Sequence, residues 1–496
     1  MRPASLGAPM QSVVVDEVDA DGAADVRPAP SRWQDEGRRL GGWALRRPLL
    51  AALTLAALVG LVVAFGLVTP AMVTAQERRH VLAAAAFPGA VQELDAGPAV
   101  RWSVPFDETV PPLLVGDTVV VVDGPDLQHR SLVGVDVVTG AQRWTVPLAA
   151  DPSPTQVRCH ELGGRLVCLA GEGPPPDQRD LAPGELPPAP APAALLVVDA
   201  RTGDVLASHH VEGRVVAATT LGDDVVVATY WWGAFAVRRI DPMSAEVVWE
   251  RRDGAAITVP AVGDVTLRVG GGLVVATVSG STLVLRAATG EQVRPAHRTA
   301  GTDETRMLED GTLVRTRYRL EAVGVDVMSE LSTGEGQPWL TARGVPVEPE
   351  VDDHLSGLVF TSGALAGGPL VGRVSAYRPG REEPLWRAFA PAREIAAVVD
   401  DRVVLRVAGA LVGIDERTGV QMWRRTFGLG LGRAFTDGVH LLLERTTPEE
   451  GATLVALDLE TGRIDWTAPL PDGSSRVLQL GGHLYATGDG RLVALR

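Results

Sequence analysis

The 496-residue sequence has no lysine, no asparagine, two cysteines and only 5% aromatic residues. Its 46 basic residues are therefore all arginine, a bias typical of a high-GC bacterial genome. Without asparagine there is no acceptor for N-linked glycosylation. Without lysine there is no Gly-Lys-Ser/Thr phosphate loop, and the run at 428–432 (GLGLG) has no helical pattern after it. Two cysteines and scattered histidines fall short of the usual four zinc ligands. The 61 acidic residues bring the net charge to −15, the wrong sign for a nucleic-acid surface. No serine stands in a Gly-x-Ser-x-Gly elbow. His209 and His210 would face opposite sides of a strand. The pairs at 223–224, 352–353 and 400–401 (each Asp-Asp) stand where hairpin turns are expected, so they read as turn chemistry before acid–base dyads.

What the chain does contain is one phrase repeated from residue 98 onward: a short apolar run, Asp, two variable residues, Thr-Gly, and Trp four residues after the Gly. The clearest copies are LVGVDVVTGAQRW (Asp136, Gly140, Trp144), LVGIDERTGVQMW (Asp415, Gly419, Trp423) and LVALDLETGRIDW (Asp458, Gly462, Trp466). LLVVDARTGDVLA keeps Asp199 and Gly203 but has Ala207 in place of Trp, and VRRIDPMSAEVVW keeps Asp241 and Trp249 around a changed turn. Each copy reads as a β-hairpin. The Asp carboxylate accepts backbone N–H groups at the turn, Gly supplies a positive φ, and Trp offers a large apolar face for docking one unit on the next. A second hairpin, marked by turns such as Gly116-Asp117 or Asp437-Gly438, precedes each phrase. Two hairpins make a four-stranded sheet, and such sheets repeated radially make a propeller.

The phrase resembles that of the PQQ-like β-propeller family, which includes periplasmic quinoprotein dehydrogenases and the propeller lipoprotein of the outer-membrane barrel assembly machine. The resemblance covers about 98–496 and implies an all-β propeller. Trp or its replacement stands at 102, 144, 207, 249, 294, 339, 386, 423 and 466, with Ala207 and Arg294 as the substitutes. Family members resemble eight-bladed propellers, and the unit ending at Trp339 is irregular, so eight blades with one degenerate phase are expected and nine stay open. The last unit ends before its return strand, and the strand around Trp102 is its natural donor. The quinoprotein dehydrogenases resemble one another in a Ca²⁺ site that uses Asn and in a disulfide between adjacent cysteines. This chain has no Asn, and its cysteines are nine apart. No catalytic residue, cofactor or metal ligand is therefore assigned, and no enzyme activity is expected. A quinoprotein-like small-molecule-binding propeller, or a PQQ-dependent dehydrogenase, is the alternative.

Residues 48–75 carry no charged side chain and are long enough to cross a bilayer as a helix. Arg38, Arg39, Arg46 and Arg47 precede the run, against Arg78 and Arg79 beyond it, which places the N-terminus in the cytoplasm and the propeller outside. A cleaved signal peptide is the competing reading. No cysteine near the run allows a lipoprotein anchor. The expected organisation is a disordered cytoplasmic tail (1–47), a transmembrane helix (48–75), a juxtamembrane linker (76–97) and the propeller (98–496), with a Pro-rich loop insertion at 172–193. In VRCHELGGRLVCLAG a two-residue Gly163-Gly164 turn pairs Cys159 with Cys168 at a non-hydrogen-bonded position, where a cross-strand disulfide fits and an oxidising compartment permits it. A reduced pair is the alternative. Trp231 and Trp232, the aromatic cluster outside the repeat positions, are candidate interface residues, with packing between blades as the plainer account. The chain reads as a membrane-anchored, extracytoplasmic binding or scaffolding module for an envelope protein, peptide or glycan, with no nucleic-acid partner.

Overall fold

The computed structural model describes residues 87–496 except 95–96, 125–128, 149–155, 172–190, 232–233, 254–264, 279–280, 299–302, 322–323, 335, 364–372, 390–391, 393, 429 and 450. Thirty-six strands, β1 (Val100–Pro105) to β36 (Arg491–Leu495), form nine antiparallel four-stranded sheets. Eight of them, blades 1 to 8, are built from consecutive strands spanning 113–147, 156–211, 214–253, 265–298, 303–343, 345–389, 394–426 and 431–469. Blade 9 combines β34 (Arg476–Leu480), β35 (His483–Gly488) and β36 with β1.

The expectation of eight blades is thus overturned. The irregular unit ending at Trp339 makes a complete sheet, with the register shift before its turn that the regular units also have, here between Leu331 and Ser332. The short unit ending at Trp423 is also complete. The expected helix ahead of the propeller is not among the described elements: no helix of the described residues is long and apolar enough to cross a membrane. Residues 48–75 and the tail 1–47 lie outside the described residues, as do most of the 76–97 linker and residues 172–190 of the insertion.

Sequence texture sets each strand's place. Middle strands such as β3 (Thr118–Asp123, TVVVVD) are buried along nearly their whole length, because both faces meet neighbouring blades. Outer strands such as β5 (Gln142–Pro147, QRWTVP) alternate buried and exposed residues. The cores therefore lie between blades: Val120, Val122, Leu132 and Trp144 of blade 1 pack against Val157, Leu166, Cys168 and Val198 of blade 2. First strands of blades 1 to 5 touch in succession, as do those of blades 7 to 9. Two extended segments pair with that inner edge. Val351 accepts from Val398 N–H, and Asp353 N–H donates to the Val398 carbonyl of blade 7. Val91 N–H donates to Thr436 O in blade 8, and Gln92 N–H to Gly482 O in blade 9. Val351, Ala90 and Val91 are fully buried.

The ring closes at blade 9. Trp102 pairs with Ala494 and Val104 with Leu492, and Ala99 and Arg496 exchange both of their backbone hydrogen bonds at 3.0 Å. Tyr485, whose hydroxyl pKa burial pushes up to about 12, sets its ring 5.7 Å from that of Trp102.

Candidate functional site: blade junctions and the cleft between blades 5 and 6

The repeated turn is held by its Asp. Asp136 Oδ1 accepts the N–H of Thr139 at 2.8 Å, the N–H of Val138 at 3.0 Å and the Thr139 hydroxyl at 2.9 Å. The Thr139 N–H and hydroxyl, with Arg143 beside them, hold the Asp136 carboxyl far below the usual carboxylate range. Asp199, Asp415 and Asp458 accept from Thr202, Thr418 and Thr461 in the same way, and Asp241 accepts from Met243 at 2.7 Å.

Five of the Trp residues complete the turn of the next blade. Trp102 Nε1 donates to Val137 O at 3.1 Å, Trp144 to Ala200 O at 2.9 Å, Trp249 to Ala287 O at 3.0 Å and Trp423 to Leu459 O at 3.0 Å, while Trp386 donates to Glu416 O. Each of these indoles lies over a turn glycine. A Cβ on Gly140 would fall 2.5 Å from Trp102, one on Gly203 2.6 Å from Trp144, and one on Gly462 2.5 Å from Trp423. Gly290 under Trp249 and Gly419 under Trp386 meet the same limit at 2.7 Å. The glycine therefore serves both its own positive φ and its neighbour's indole. A signal for that second role was in the sequence. Blade 2 has Ala207 in place of Trp, and the following turn is the one with Ala245 (φ 60°) in place of Gly. There His209 Nε2 lies 2.9 Å from Met243 O, tying blade 2 to the blade 3 turn without an indole.

The remaining positions singled out in the sequence play no common part. Cys159 and Cys168 are joined (S–S 2.07 Å, Cα–Cα 4.1 Å) across β6 (Gln156–Leu162) and β7 (Arg165–Gly171), in the register set by Gly163-Gly164. Cys168 is fully buried among the residues that join blades 1 and 2. A bridge between strands within a blade core, in a chain without asparagine, does not fit the ring disulfide and Ca²⁺ ligands of a quinone-cofactor site. No group of three or more His, Cys, Asp or Glu among the described residues is arranged to hold a metal ion. Trp231 ends β11 (Asp224–Trp231) opposite Ala234, and Trp232 lies outside the described residues. Trp466 is half-buried and its indole N–H has no partner among the described residues.

His440 is an ionisable group with a defined role. Its Nδ1 lies 2.8 Å from Asp437 Oδ2 and its Nε2 3.3 Å from Asp465 Oδ2, tying the first turn of blade 8 to its outer strand. Burial works against the imidazolium, but the Asp437 hydrogen bond and the two carboxylate charges outweigh it and raise the pKa above 6.5. A raised folded-state pKa gives stability that is fully present below the unfolded value and lost as pH rises through the folded one. A His440→Gln variant should accordingly lose more melting temperature against wild type at pH 5.5 than at pH 8.5, with at most about 1.5–3 kcal/mol at stake. Thermal scans at the two pH values check this, and an equal loss at both would show that the charge contributes nothing.

The junction between blades 5 and 6 departs most from the pattern. Blade 6 replaces the Asp-x-x-Thr-Gly turn with Arg378-Pro379-Gly380-Arg381-Glu382-Glu383-Pro384. Trp339 of blade 5 is half-buried, and its carbonyl, not its indole, bonds the turn, accepting Gly380 N–H at 3.1 Å. A cleft of about 700 Å³ opens there, lined by Met328, Thr341 and Arg343 of blade 5 and by Tyr377, Glu382, Glu383, Pro384, Trp386 and Arg387 of blade 6. No sequence argument pointed to it.

Comparison with known proteins places this geometry. The family described as outer membrane protein assembly factor BamB matches residues 370–496. Among solved structures, BamB from Moraxella catarrhalis is 14% identical, with 80% of this chain and 99% of that chain covered and a TM-score of 0.44. A europium-containing methanol dehydrogenase is 13% identical over 80% of this chain and 86% of its own, at a TM-score of 0.38. Sqt1 of Saccharomyces cerevisiae is 11% identical over 81% and 99%, at 0.41. No curated protein sequence matches the chain. The turn-and-Trp repeat, the nine sheets it builds and the match over 370–496 support a PQQ-like β-propeller.

Proposed function

We propose that the chain is a protein-binding scaffold of the cell envelope, with its propeller outside the cytoplasmic membrane. The observation that carries this is an apolar rim on two adjacent blades. The outer strand of blade 2 opens with Val205 and Leu206, 50% and 44% exposed. That of blade 3 opens with Val247 and Val248, 47% and 49% exposed, after Met243 at 39%. Consecutive residues of a strand point to opposite faces, so exposure of both means that each strand end projects clear of its neighbours. The His209–Met243 contact joins the outer strand of blade 2 to the turn of blade 3. Clustered apolar surface of this kind marks interaction sites on soluble faces. The uncharged run 48–75, the arginines before it and a disulfide suited to an oxidising compartment support the location.

The test is a photoreactive amino acid placed at position 206 of the full chain; with no lysine, amine-reactive reagents have no side-chain target in the chain. In spheroplasts it should form one covalent adduct with a second protein. External protease should destroy that adduct, and Val248→Glu should abolish it. No adduct, or one unchanged by Val248→Glu, would refute the rim as the interface. An adduct resistant to external protease would refute the location.

A further inference from the structure

We infer that the cleft between blades 5 and 6 binds a short zwitterionic peptide, its carboxylate held by Arg343 and Arg387 and its ammonium by Glu382 and Glu383. This rests on the reading of the propeller as a binding module and gives that module a second, ligand-sized site.

Three observations lead there. The first is the cavity itself. β19 (Thr312–Glu321) and β20 (Gly324–Thr333) of blade 5 are ten residues long, whereas β24 (Arg373–Tyr377) and β25 (Trp386–Phe389) of blade 6 have five and four. The lengthened turn carrying Glu382 and Glu383 borders the cleft between these sheets. Its volume of about 700 Å³ falls within the roughly 300–1,000 Å³ of small-ligand sites, while five other junctions are filled by a docked indole.

The second is the charge. On the same blade 5 sheet, Arg317 pairs with Glu330 and Arg315 with Asp303, each at 3.0 Å. Arg343, Arg387, Glu382 and Glu383 line one cleft, yet no ion pair or side-chain hydrogen bond joins their charged heads to each other or to any other described residue. A simple anion entering would be repelled by the glutamates and a simple cation by the arginines. A neutral ligand would displace water from all four heads and return nothing. A ligand with both charges satisfies both pairs, and guanidinium groups suit a terminal carboxylate because they can bind it bidentately.

The third is the floor, which is fixed in advance. Trp386 is anchored by its hydrogen bond to Glu416 O and packed 6.1 Å from Phe360. Tyr377 is fully buried, and its hydroxyl accepts the Arg343 N–H at 3.2 Å. Met328 and Pro384 line the cleft beside them, with the Thr341 hydroxyl as a neutral polar partner. Extended, a tripeptide spans about 10 Å, a length such a cavity accommodates.

The experiment is calorimetric titration of the purified full chain with tri-alanine bearing free termini, against N-acetylated, C-amidated tri-alanine. The free peptide should bind saturably in the millimolar range or tighter, and the capped peptide at least tenfold more weakly. Arg343→Gln with Arg387→Gln, and separately Glu382→Gln with Glu383→Gln, should each weaken the free peptide at least tenfold while the ligand-free melting temperature holds. Absence of saturable binding, or equal binding of free and capped peptide, would overturn the proposal, and the second comparison needs no variant. Binding unchanged in folded variants would overturn the assignment to these residues. None of these outcomes depends on the rim adduct at position 206, so failure of the scaffold reading and failure of the cleft are told apart.

Discussion

Removal of residues 98–106 should open the ring: the chain should melt far below wild type and self-associate. Among the described strands, β1 alone reaches its blade from the other end of the propeller, and it closes blade 9 through five paired positions from Val100 to Pro105. Trp102 is buried with Tyr485, Val119, Val121 and Leu492 on both sides of the closure. Its indole fills the space above Gly140 of blade 1 and bonds Val137 O. Phe106, also buried, anchors the next turn by donating its N–H to Gly490 O. Loss of the buried Trp alone is worth about 3–5 kcal/mol in comparable cores, and the deletion also leaves the β36 edge unpaired and open to other chains. Differential scanning calorimetry and size-exclusion chromatography read both effects. Deletion of 1–40 serves as the control and should move neither. An unchanged melting temperature and a monomer after removal of 98–106 would mean that the ring is held shut without β1.

Much of this architecture was written in the repeat. Asp136, Thr139 and Gly140 specify a turn through contacts within five residues, and local chemistry of that kind is readable from a single copy. The missing return strand after Leu495, set against the solitary strand at Trp102, likewise pointed to the closure. The blade count was harder, because it depends on whether an irregular unit keeps its strands. The unit ending at Trp339 does so with the same bulge before its turn as the regular units, and Leu340 rather than Trp339 takes the paired position that Trp144 holds in blade 1. The segments at 89–92 and 349–353 pair with inner strands of the blades, and their short sequences show no period to read. The cleft between blades 5 and 6 was illegible for a related reason. It is lined by side chains of two blades, from Met328 to Arg387, and nothing in either strand alone announces it. The paired exposure of Val205 with Leu206 and of Val247 with Val248 was hidden because hairpin strands of the repeat look alike whether or not their ends project.

Gly462→Ala should destabilise the propeller by about 2–5 kcal/mol, and most of the loss above backbone strain should vanish when Trp423 is also replaced by Ala. Two costs act at this position. Gly462 holds φ at +66°, where an L-residue costs about 1–2 kcal/mol. An added Cβ would also stand 2.5 Å from Trp423 Cδ2, an overlap of the kind that costs about 1–3 kcal/mol in packed cores. Trp423 cannot easily retreat. Its Nε1 is bonded to Leu459 O at 3.0 Å, and its other side lies against Gly413, where a Cβ would be 2.2 Å from the ring. Trp423→Ala alone should cost about 3–5 kcal/mol. In the double variant the overlap has nothing to act on, so the two losses should fall short of their sum by about 1–3 kcal/mol, within the range of contacting pairs. Blades 2 and 3 already display that double variant: Ala207 stands in the Trp position and Ala245 holds φ at 60° in the following turn. Equilibrium urea unfolding of the four chains measures the coupling. Strict additivity would mean that glycine is kept at these turns for its backbone alone, and that the pairing of Ala207 with Ala245 has another cause.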